Sequence, residues 1–219
     1  MVGDAHPKDL GWVLPILRSY TAPVPNYRRA YRPGGTFFFT LVTYRRRPLF
    51  DASANVGRLR AAVAEERKAR PFDLLAAVIL PDHLHWMIRL PVGDADFSSR
   101  IGRIKAAFTK SLGAGESDAG PRNAPSRVRH RERNVWQRRF SEHVIRDDDD
   151  FRAHVDYVHY NPVKHGHARC PHAWAASSFG KWVRGDFYPE DWHCVCEGRT
   201  PEPPNFDPLG HPGVDDDTP

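Results

Sequence analysis

Residues 73–90, DLLAAVILPDHLHWMIRL, decide the fold of this 219-residue chain. Residues 73–80 form a continuous apolar run with β-branched members, which predicts a buried strand. Pro81 and Asp82 indicate a turn, and residues 83–90 predict a second strand that pairs with the first as a hairpin. The stretch therefore predicts the centre of an antiparallel sheet.

Around this hairpin, the spacing of apolar residues predicts the remaining elements. In chain order they are a strand at residues 36–43, helices at 53–68 and 97–112, a strand at 135–145 and a helix at 148–160. The order strand, helix, strand, strand, helix, strand is the split β-α-β-β-α-β arrangement of ferredoxin-like domains. We therefore predict an α+β fold in which helices cover one face of an antiparallel sheet and a further helix follows.

The composition predicts four parts of the chain. Residues 1–26 are an N-terminal extension without a sustained pattern, and residues 27–166 form the main domain. Residues 167–195 are an irregular segment that we expect to pack on the core through its aromatic side chains. Residues 196–219 form an acidic, proline-rich tail that we expect to be disordered.

Charge and cysteine content limit the classes of function. A net charge of +5 and a pI near 9.3 make a polyanion the first partner to consider. No run approaches eighteen apolar residues, and no basic-then-apolar leader is present, so we expect neither a membrane span nor a secretory signal. Three cysteines are too few for a disulfide framework and favour a reducing, cytoplasmic setting.

The run His193-Cys194-Val195-Cys196 suggests zinc only weakly. Structural zinc sites usually need four ligands, and C-x-x-C spacing is commoner than C-x-C. The sequence therefore favours a chance pattern or a weak site here.

The clearest chemical signal is the pair His83 and His85. On a strand, residues two apart share a face and lie roughly 6.5–7 Å apart along the backbone. Two imidazoles in this arrangement can converge on one divalent ion while Leu84 packs into the opposite face. The triplet also arises easily by chance, so it needs support from elsewhere in the chain.

The last predicted helix gives that support. At about 100° per residue, His154, Tyr157 and Asn161 fall on one flank beside the apolar stripe, and Tyr160 points away from the core. Tyrosine can act as a nucleophile beside a metal, and an asparagine amide oxygen can be a third ligand. Pro162 weakens this geometry, because the residue before a proline tends to leave the helix.

Taken together, these residues resemble the single-tyrosine HUH transposases of insertion sequences, and within them the REP-associated tyrosine transposases. The resemblance extends from Tyr27 to Trp192. It is carried by YRRAYRPGGTFFFTLVTYRRRPLF (27–50), LPDHLHWMI (80–88), VWQRRFSEHVIRDDDD (135–150), DYVHYNPVKHG (156–166) and WAASSFGKWVRGDFYPEDW (174–192).

The resemblance implies a role for each matching residue. His83 and His85 match the metal ligands, Tyr157 matches the catalytic tyrosine, and Asn161 matches the polar residue that completes the metal site. Histidine ligation suits Mn²⁺, whereas cellular abundance favours Mg²⁺. The implied reaction cleaves single-stranded hairpin DNA of the repetitive extragenic palindrome (REP) type, leaving a 5′-phosphotyrosine link and a 3′-hydroxyl. The metal, a water molecule and His154 remain alternative destinations for the tyrosine proton.

A basic segment near the middle of the chain is a candidate DNA-binding surface, because arginines bind phosphates and aromatic rings stack on bases. Its candidate residues are Arg122, Arg127, Arg129, Arg131, Arg133, Trp136, Arg138 and Arg139, and the second helix adds Lys105 and Lys110. A solvated basic loop is the alternative interpretation.

Two other functions share the predicted fold. One is a relaxase or rolling-circle replication initiator, and the other is a catalytically silent nucleic-acid-binding repressor. The retained histidine pair and Tyr157 argue against the repressor. We expect DNA as the partner, with no membrane and no small-molecule substrate. Related transposases act as dimers, but the sequence shows no interface.

Overall fold

The structure, a computed structural model, describes residues 31–113, 133–196 and 200–204. In chain order its elements are β1 (Thr36–Val42), α1 (Ser53–Ala69), β2 (Asp73–Ile79), β3 (His83–Arg89), α2 (Phe97–Ser111), β4 (Ser141–Val144), α3 (Asp148–Lys164) and the short α4 (Phe179–Val183). The four strands form one sheet in the order β2-β3-β1-β4, with every neighbouring pair antiparallel. This is the predicted ferredoxin-like order, so the predicted α+β fold is confirmed.

Helices α1 and α2 cover one face of the sheet. The alternating residues Phe37, Phe39 and Leu41 of β1 point to this face, as do Leu84, Trp86 and Ile88 of β3, and all are buried. The period of two along each strand thus produces a continuous apolar layer under the two helices. This layer is the main hydrophobic core.

Helix α3 packs on the opposite face. Phe38 of β1 and Met87 of β3 contact its apolar side through Val155 and Val158. The histidines of β3 also point to this face, because they alternate with the core residues of that strand. The sheet is therefore covered on both sides, and the candidate site lies between the sheet and α3.

Two predicted boundaries were wrong. The last strand has only four residues, Ser141–Val144, because the chain before it forms a turn in which Val135 and Trp136 join the core. The last helix continues past Tyr160 to Lys164 and includes Pro162. Pro162 lacks the N–H of one intrahelical hydrogen bond, but it lies in the last turn, so the missing bond is at the end of the helix.

The segment after α3 packs against that helix, as expected from its aromatic residues. Trp174 and Trp182 donate hydrogen bonds to the backbone of β2, and Tyr188 bonds to Asp156 of α3. The structure also joins Cys170 to Cys194 as a disulfide, a pairing that the sequence analysis did not predict. Among the described residues, no helix is both long and apolar enough to cross a membrane.

Candidate active site between the sheet and helix α3

The two histidines of β3 lie side by side on the face that α3 covers. His83 pairs with Val42 of β1 and His85 pairs with Thr40, so both lie near the end of the two central strands. Their ring centroids are 5.1 Å apart, and both residues are buried. The predicted convergence of the two imidazoles is thus present, and Leu84 packs on the opposite face as expected.

A carboxylate fixes the orientation of His83. Its Nδ1 lies 2.6 Å from Oδ1 of Asp82, and the other carboxylate oxygen accepts a hydrogen bond from Arg46 at 3.2 Å. Burial acts to raise the pKa of Asp82, but the bond to His83 and the charge of Arg46 lower it overall. Because an ionised carboxylate only accepts, Nδ1–H of His83 donates this hydrogen bond, which leaves Nε2 as the ring nitrogen that could bind a ligand.

His85 is held in its neutral form. Burial lowers its pKa well below 6.5, and electrostatic interactions with His83, His165 and Lys164 add to this effect. Its Nδ1 is 2.9 Å from the hydroxyl of Thr40, whereas its buried Nε2 has no hydrogen-bond partner among the described residues. A neutral imidazole with an open nitrogen is the form that binds a metal ion.

Helix α3 places Tyr157 against His85. The ring centroids of these two residues are 5.1 Å apart, and Tyr157 is 7% exposed. The Phe38 ring contacts both of them, and the Lys164 ammonium lies 5.0 Å from the centroid of the Tyr157 ring. The phenol therefore lies next to the histidine pair in a positively charged setting.

Asn161 follows Tyr157 by one turn of the same helix. It is fully buried, yet neither Oδ1 nor Nδ2 has a hydrogen-bond partner among the described residues. Buried polar atoms are almost always paired, so Oδ1 of Asn161 is a candidate to bind a ligand. Two imidazole nitrogens and one amide oxygen fit a divalent ion such as Mn²⁺ or Mg²⁺. Pro162 does not displace Asn161 from the helix, contrary to the expectation.

Three further side chains near the histidines were not predicted from the sequence. The ring of His165 lies 5.4 Å from that of His83. Lys164 and Arg46 were not singled out. The position of Arg46 could have been predicted, because the run Arg45–Arg47 closely follows β1, whose last residue, Val42, pairs with His83. Arg45 and Arg46 also adopt positive φ, a conformation that costs non-glycine residues energy and is enriched at functional sites.

His154, the candidate proton acceptor, is fully buried on the other side of Phe38. Its Nδ1 is 2.8 Å from the backbone oxygen of Asp150, and its ring stacks on His143 at 4.5 Å. The Phe38 ring contacts both His154 and Tyr157. At the acidic start of α3, Asp150 accepts hydrogen bonds from His143 and from the backbone N–H of Arg146.

Tyr160 does not face solvent as its place on the helix suggested. It is 7% exposed because the rings of Trp192 and His193 cover it. The helix therefore has two equally buried tyrosines, of which Tyr157 contacts His85 of β3.

The candidate DNA-binding residues divide into three groups. Arg122, Arg127, Arg129 and Arg131 lie outside the described residues. Trp136 cannot stack on a base, because it is 6% exposed and packs between Phe50 and Phe108; this prediction was wrong. Arg133 donates hydrogen bonds to backbone oxygens at the end of α2, and Lys105 donates one to Gln137.

Arg138, Arg139 and Lys110 are exposed. The two arginines come just before Ser141, which pairs with Thr40, the strand partner of His85. They therefore lie at the end of the sheet that carries the histidines. They stay candidates for contacts with DNA.

The chain is similar to known proteins over about three quarters of its length. No protein-family model matches the chain. An Escherichia coli REP-associated tyrosine transposase is 41% identical over 166 residues, which cover 76% of this chain and 89% of the relative. A Haemophilus influenzae protein assigned to the same group is also 41% identical, over 76% of this chain and 92% of the relative. A solved REP-associated tyrosine transposase, bound to a REP hairpin, is 40% identical with a TM-score of 0.63; the match covers 78% of this chain and 93% of that one.

The fold and these relatives define the class of protein as a transposase. Since the relatives are matched over nearly their whole length, the chain belongs to the family of REP-associated tyrosine transposases.

Proposed function

We propose that this transposase cleaves and rejoins single-stranded hairpin DNA through a covalent link to Tyr157. The observation that carries the proposal is the contact between Tyr157 and His85, whose Nε2 is buried without a partner among the described residues. The related structure bound to a REP hairpin supports a hairpin substrate. His83, His85 and Asn161 would hold Mg²⁺ or Mn²⁺, and the bound ion would neutralise charge on the scissile phosphate.

In the proposed cleavage step, Oη of Tyr157 attacks the scissile phosphorus. The bond from phosphorus to the 3′ oxygen breaks, the 5′ phosphate stays on Tyr157, and the 3′ oxygen leaves as a hydroxyl after taking up a proton. The Lys164 ammonium stabilises negative charge on the phenol oxygen as the proton departs. Helix α3 fixes the phenol in place, which saves the entropy of positioning it.

Rejoining reverses these bonds. A 3′-hydroxyl attacks the phosphotyrosine, the new phosphodiester forms, and Tyr157 regains its proton. Because the ester keeps the energy of the original bond, the strand transfer needs no ATP.

The proton of Tyr157 has two candidate acceptors besides the ion, namely a water molecule and His154. The Nδ1–H of His154 donates to the Asp150 backbone oxygen, a tautomer that leaves Nε2 as the basic nitrogen. The Phe38 ring contacts the rings of both His154 and Tyr157. A proton that moves from Tyr157 to His154 would therefore have to pass around Phe38.

The experiment incubates the chain with a labelled REP-type hairpin oligonucleotide and Mn²⁺ and resolves the products on a denaturing gel. We expect a covalent adduct that Tyr157→Phe abolishes and that a chelator prevents. Tyr160→Phe is the matched control, because it removes one hydroxyl from an equally buried tyrosine of the same helix. The adduct should persist in that variant.

Binding and cleavage should separate in the His83→Ala variant. We expect cleavage to be lost while salt-dependent binding of the hairpin remains, since phosphate contacts give most of that affinity. An adduct that survives Tyr157→Phe contradicts the proposal. Binding without cleavage in the unmodified chain favours the repressor.

A further inference from the structure

A second group of metal-ligating side chains lies outside the candidate active site. The sulfur atoms of Cys170, Cys194 and Cys196 all lie within 4.8 Å of one another. The motif His193-Cys194-Val195-Cys196 contains only the last two of these cysteines, and Cys170 lies 24 residues before Cys194. The fold thus supplies a third thiol to a motif that was judged too small for zinc.

Backbone contacts bring the two segments side by side. The amide of Val195 donates to the carbonyl of Arg169 at 2.7 Å, and Nε of Arg169 donates to the carbonyl of Val195 at 3.0 Å. Val195 stands between the two later cysteines, and Arg169 stands just before the first. The contact therefore aligns the pair Cys170-x-His172 with the pair Cys194-x-Cys196.

His172 supplies a fourth donor. Its Nδ1 lies 3.7 Å from Sγ of Cys194, and the sulfurs of Cys170 and Cys196 are also 3.7 Å apart. Zn–S bonds of about 2.3 Å and Zn–N bonds of about 2.0–2.1 Å at tetrahedral angles place ligand atoms roughly 3.5–3.8 Å apart. The two separations match two of the six edges of such a tetrahedron; the sulfurs of Cys170 and Cys194, bonded in the structure, would separate on reduction, and Nδ1 of His172 would move towards the sulfurs of Cys170 and Cys196.

The Cys170–Cys194 disulfide accounts for only two of these four groups. It leaves unexplained why a third thiol and an imidazole lie beside it. A single Zn²⁺ accounts for all four, and Cys₃His is a common ligand set of closed structural zinc sites. Nδ1 of His172 now hydrogen-bonds the Glu190 carbonyl at 3.0 Å, and zinc would replace that bond.

We propose that Cys170, His172, Cys194 and Cys196 form a structural zinc site in the reduced protein. Binding converts the thiols to thiolates, with release of their protons. The site fastens residues 167–196 to α3, because Trp192 and His193, next to the later cysteines, cover Tyr160 of that helix. It is independent of the proposed cleavage reaction.

The test measures zinc in the full chain purified with reductant and without chelator. We expect about one zinc per chain that Cys196→Ser lowers at least tenfold. His167→Ala, which changes a histidine of the same segment that stacks on Trp174, should retain the metal. His83→Ala should also retain it, which separates this site from the histidine pair of β3.

Two further measurements distinguish zinc from a disulfide and do not depend on the folding of a variant. Zinc-edge X-ray absorption of the unmodified chain should show three sulfur ligands and one nitrogen ligand. Thiols titrated in denaturant with chelator should number three. A chain without zinc that shows one reactive thiol would overturn the proposal, as would zinc that Cys196→Ser does not affect.

Discussion

The two faces of the central sheet differ sharply in what they bury. Towards α1 and α2, strands β1 and β3 present only apolar and aromatic side chains. Towards α3, the same strands present Thr40, His83 and His85, and the helix adds the buried His154 and Asn161. Burying polar groups costs stability unless they are paired. Buried polar groups therefore lower the stability of the fold on the second face and not on the first. These groups lie where the cleavage chemistry is proposed.

The largest expected effect comes from removing His85. We expect His85→Ala to lower cleavage by about 10³-fold or more, because the metal ligand set becomes incomplete. The free energy of unfolding should also fall, by about 2 kcal/mol, because the substitution leaves a cavity and an unpaired Thr40 hydroxyl, which the removal of a buried nitrogen without a partner offsets only in part; cleavage is therefore expressed per folded molecule. Gel-based cleavage rates and denaturant unfolding measure the two quantities.

Ile88→Val is the corresponding change on the apolar face of β3. It should lower the free energy of unfolding by about 0.5–1.5 kcal/mol and leave cleavage per folded molecule within about twofold. If His85→Ala and Ile88→Val lowered cleavage equally, the apolar face would not serve stability alone, and the contrast between the two faces of the sheet would be wrong.

Much of this contrast was accessible from the sequence. Alternation along β3 separates Leu84, Trp86 and Ile88 from the two histidines, so the opposite faces of the strand could be predicted. Helical spacing likewise put Tyr157 and Asn161 on one flank of α3. These features depend only on local periodicity, which is why they were predicted correctly.

Features that depend on long-range contacts were not accessible. Burial of Trp136 depends on Phe50 and Phe108, and burial of Tyr160 depends on a segment about thirty residues further along the chain. The approach of His165 to His83 likewise requires the helix to run past a proline. Periodicity carries no information on such contacts, so an aromatic or basic residue in a loop was read as exposed.

A second prediction concerns Asp150, the buried carboxylate of the polar face. Burial acts to raise its pKa, but hydrogen bonds from His143 and Arg146 lower it from 3.8 to about 2. Because the folded pKa is the lower one, the stabilisation is complete above pH 4 and is lost as the pH falls towards 2. Asp150→Asn should lose about 2 kcal/mol of unfolding free energy at pH 7 and show a weaker dependence on pH in this range.

Asp149→Asn is the matched control, since Asp149 is exposed on the same first turn of α3. It should change the unfolding free energy by less than about 0.5 kcal/mol. Urea denaturation at several pH values between 2 and 7 measures both variants. If the unfolding free energy of Asp150→Asn depends on pH as strongly as that of the unmodified chain, Asp150 is not the source of this pH dependence.

The smallest effects are expected for substitutions of Phe38 and Phe39, two adjacent phenylalanines on opposite faces of β1. Phe39 packs on Phe97 and Phe140 in the apolar core, whereas Phe38 contacts the rings of His85 and Tyr157. Leucine at either position removes a similar ring, so both substitutions should cost about 1 kcal/mol of unfolding free energy. Only Phe38→Leu should also lower cleavage, by about tenfold, because the phenol and the imidazole lose the ring that separates and orients them. If Phe39→Leu lowers cleavage as much, the site depends on the rigidity of the whole sheet rather than on the side chains of one face.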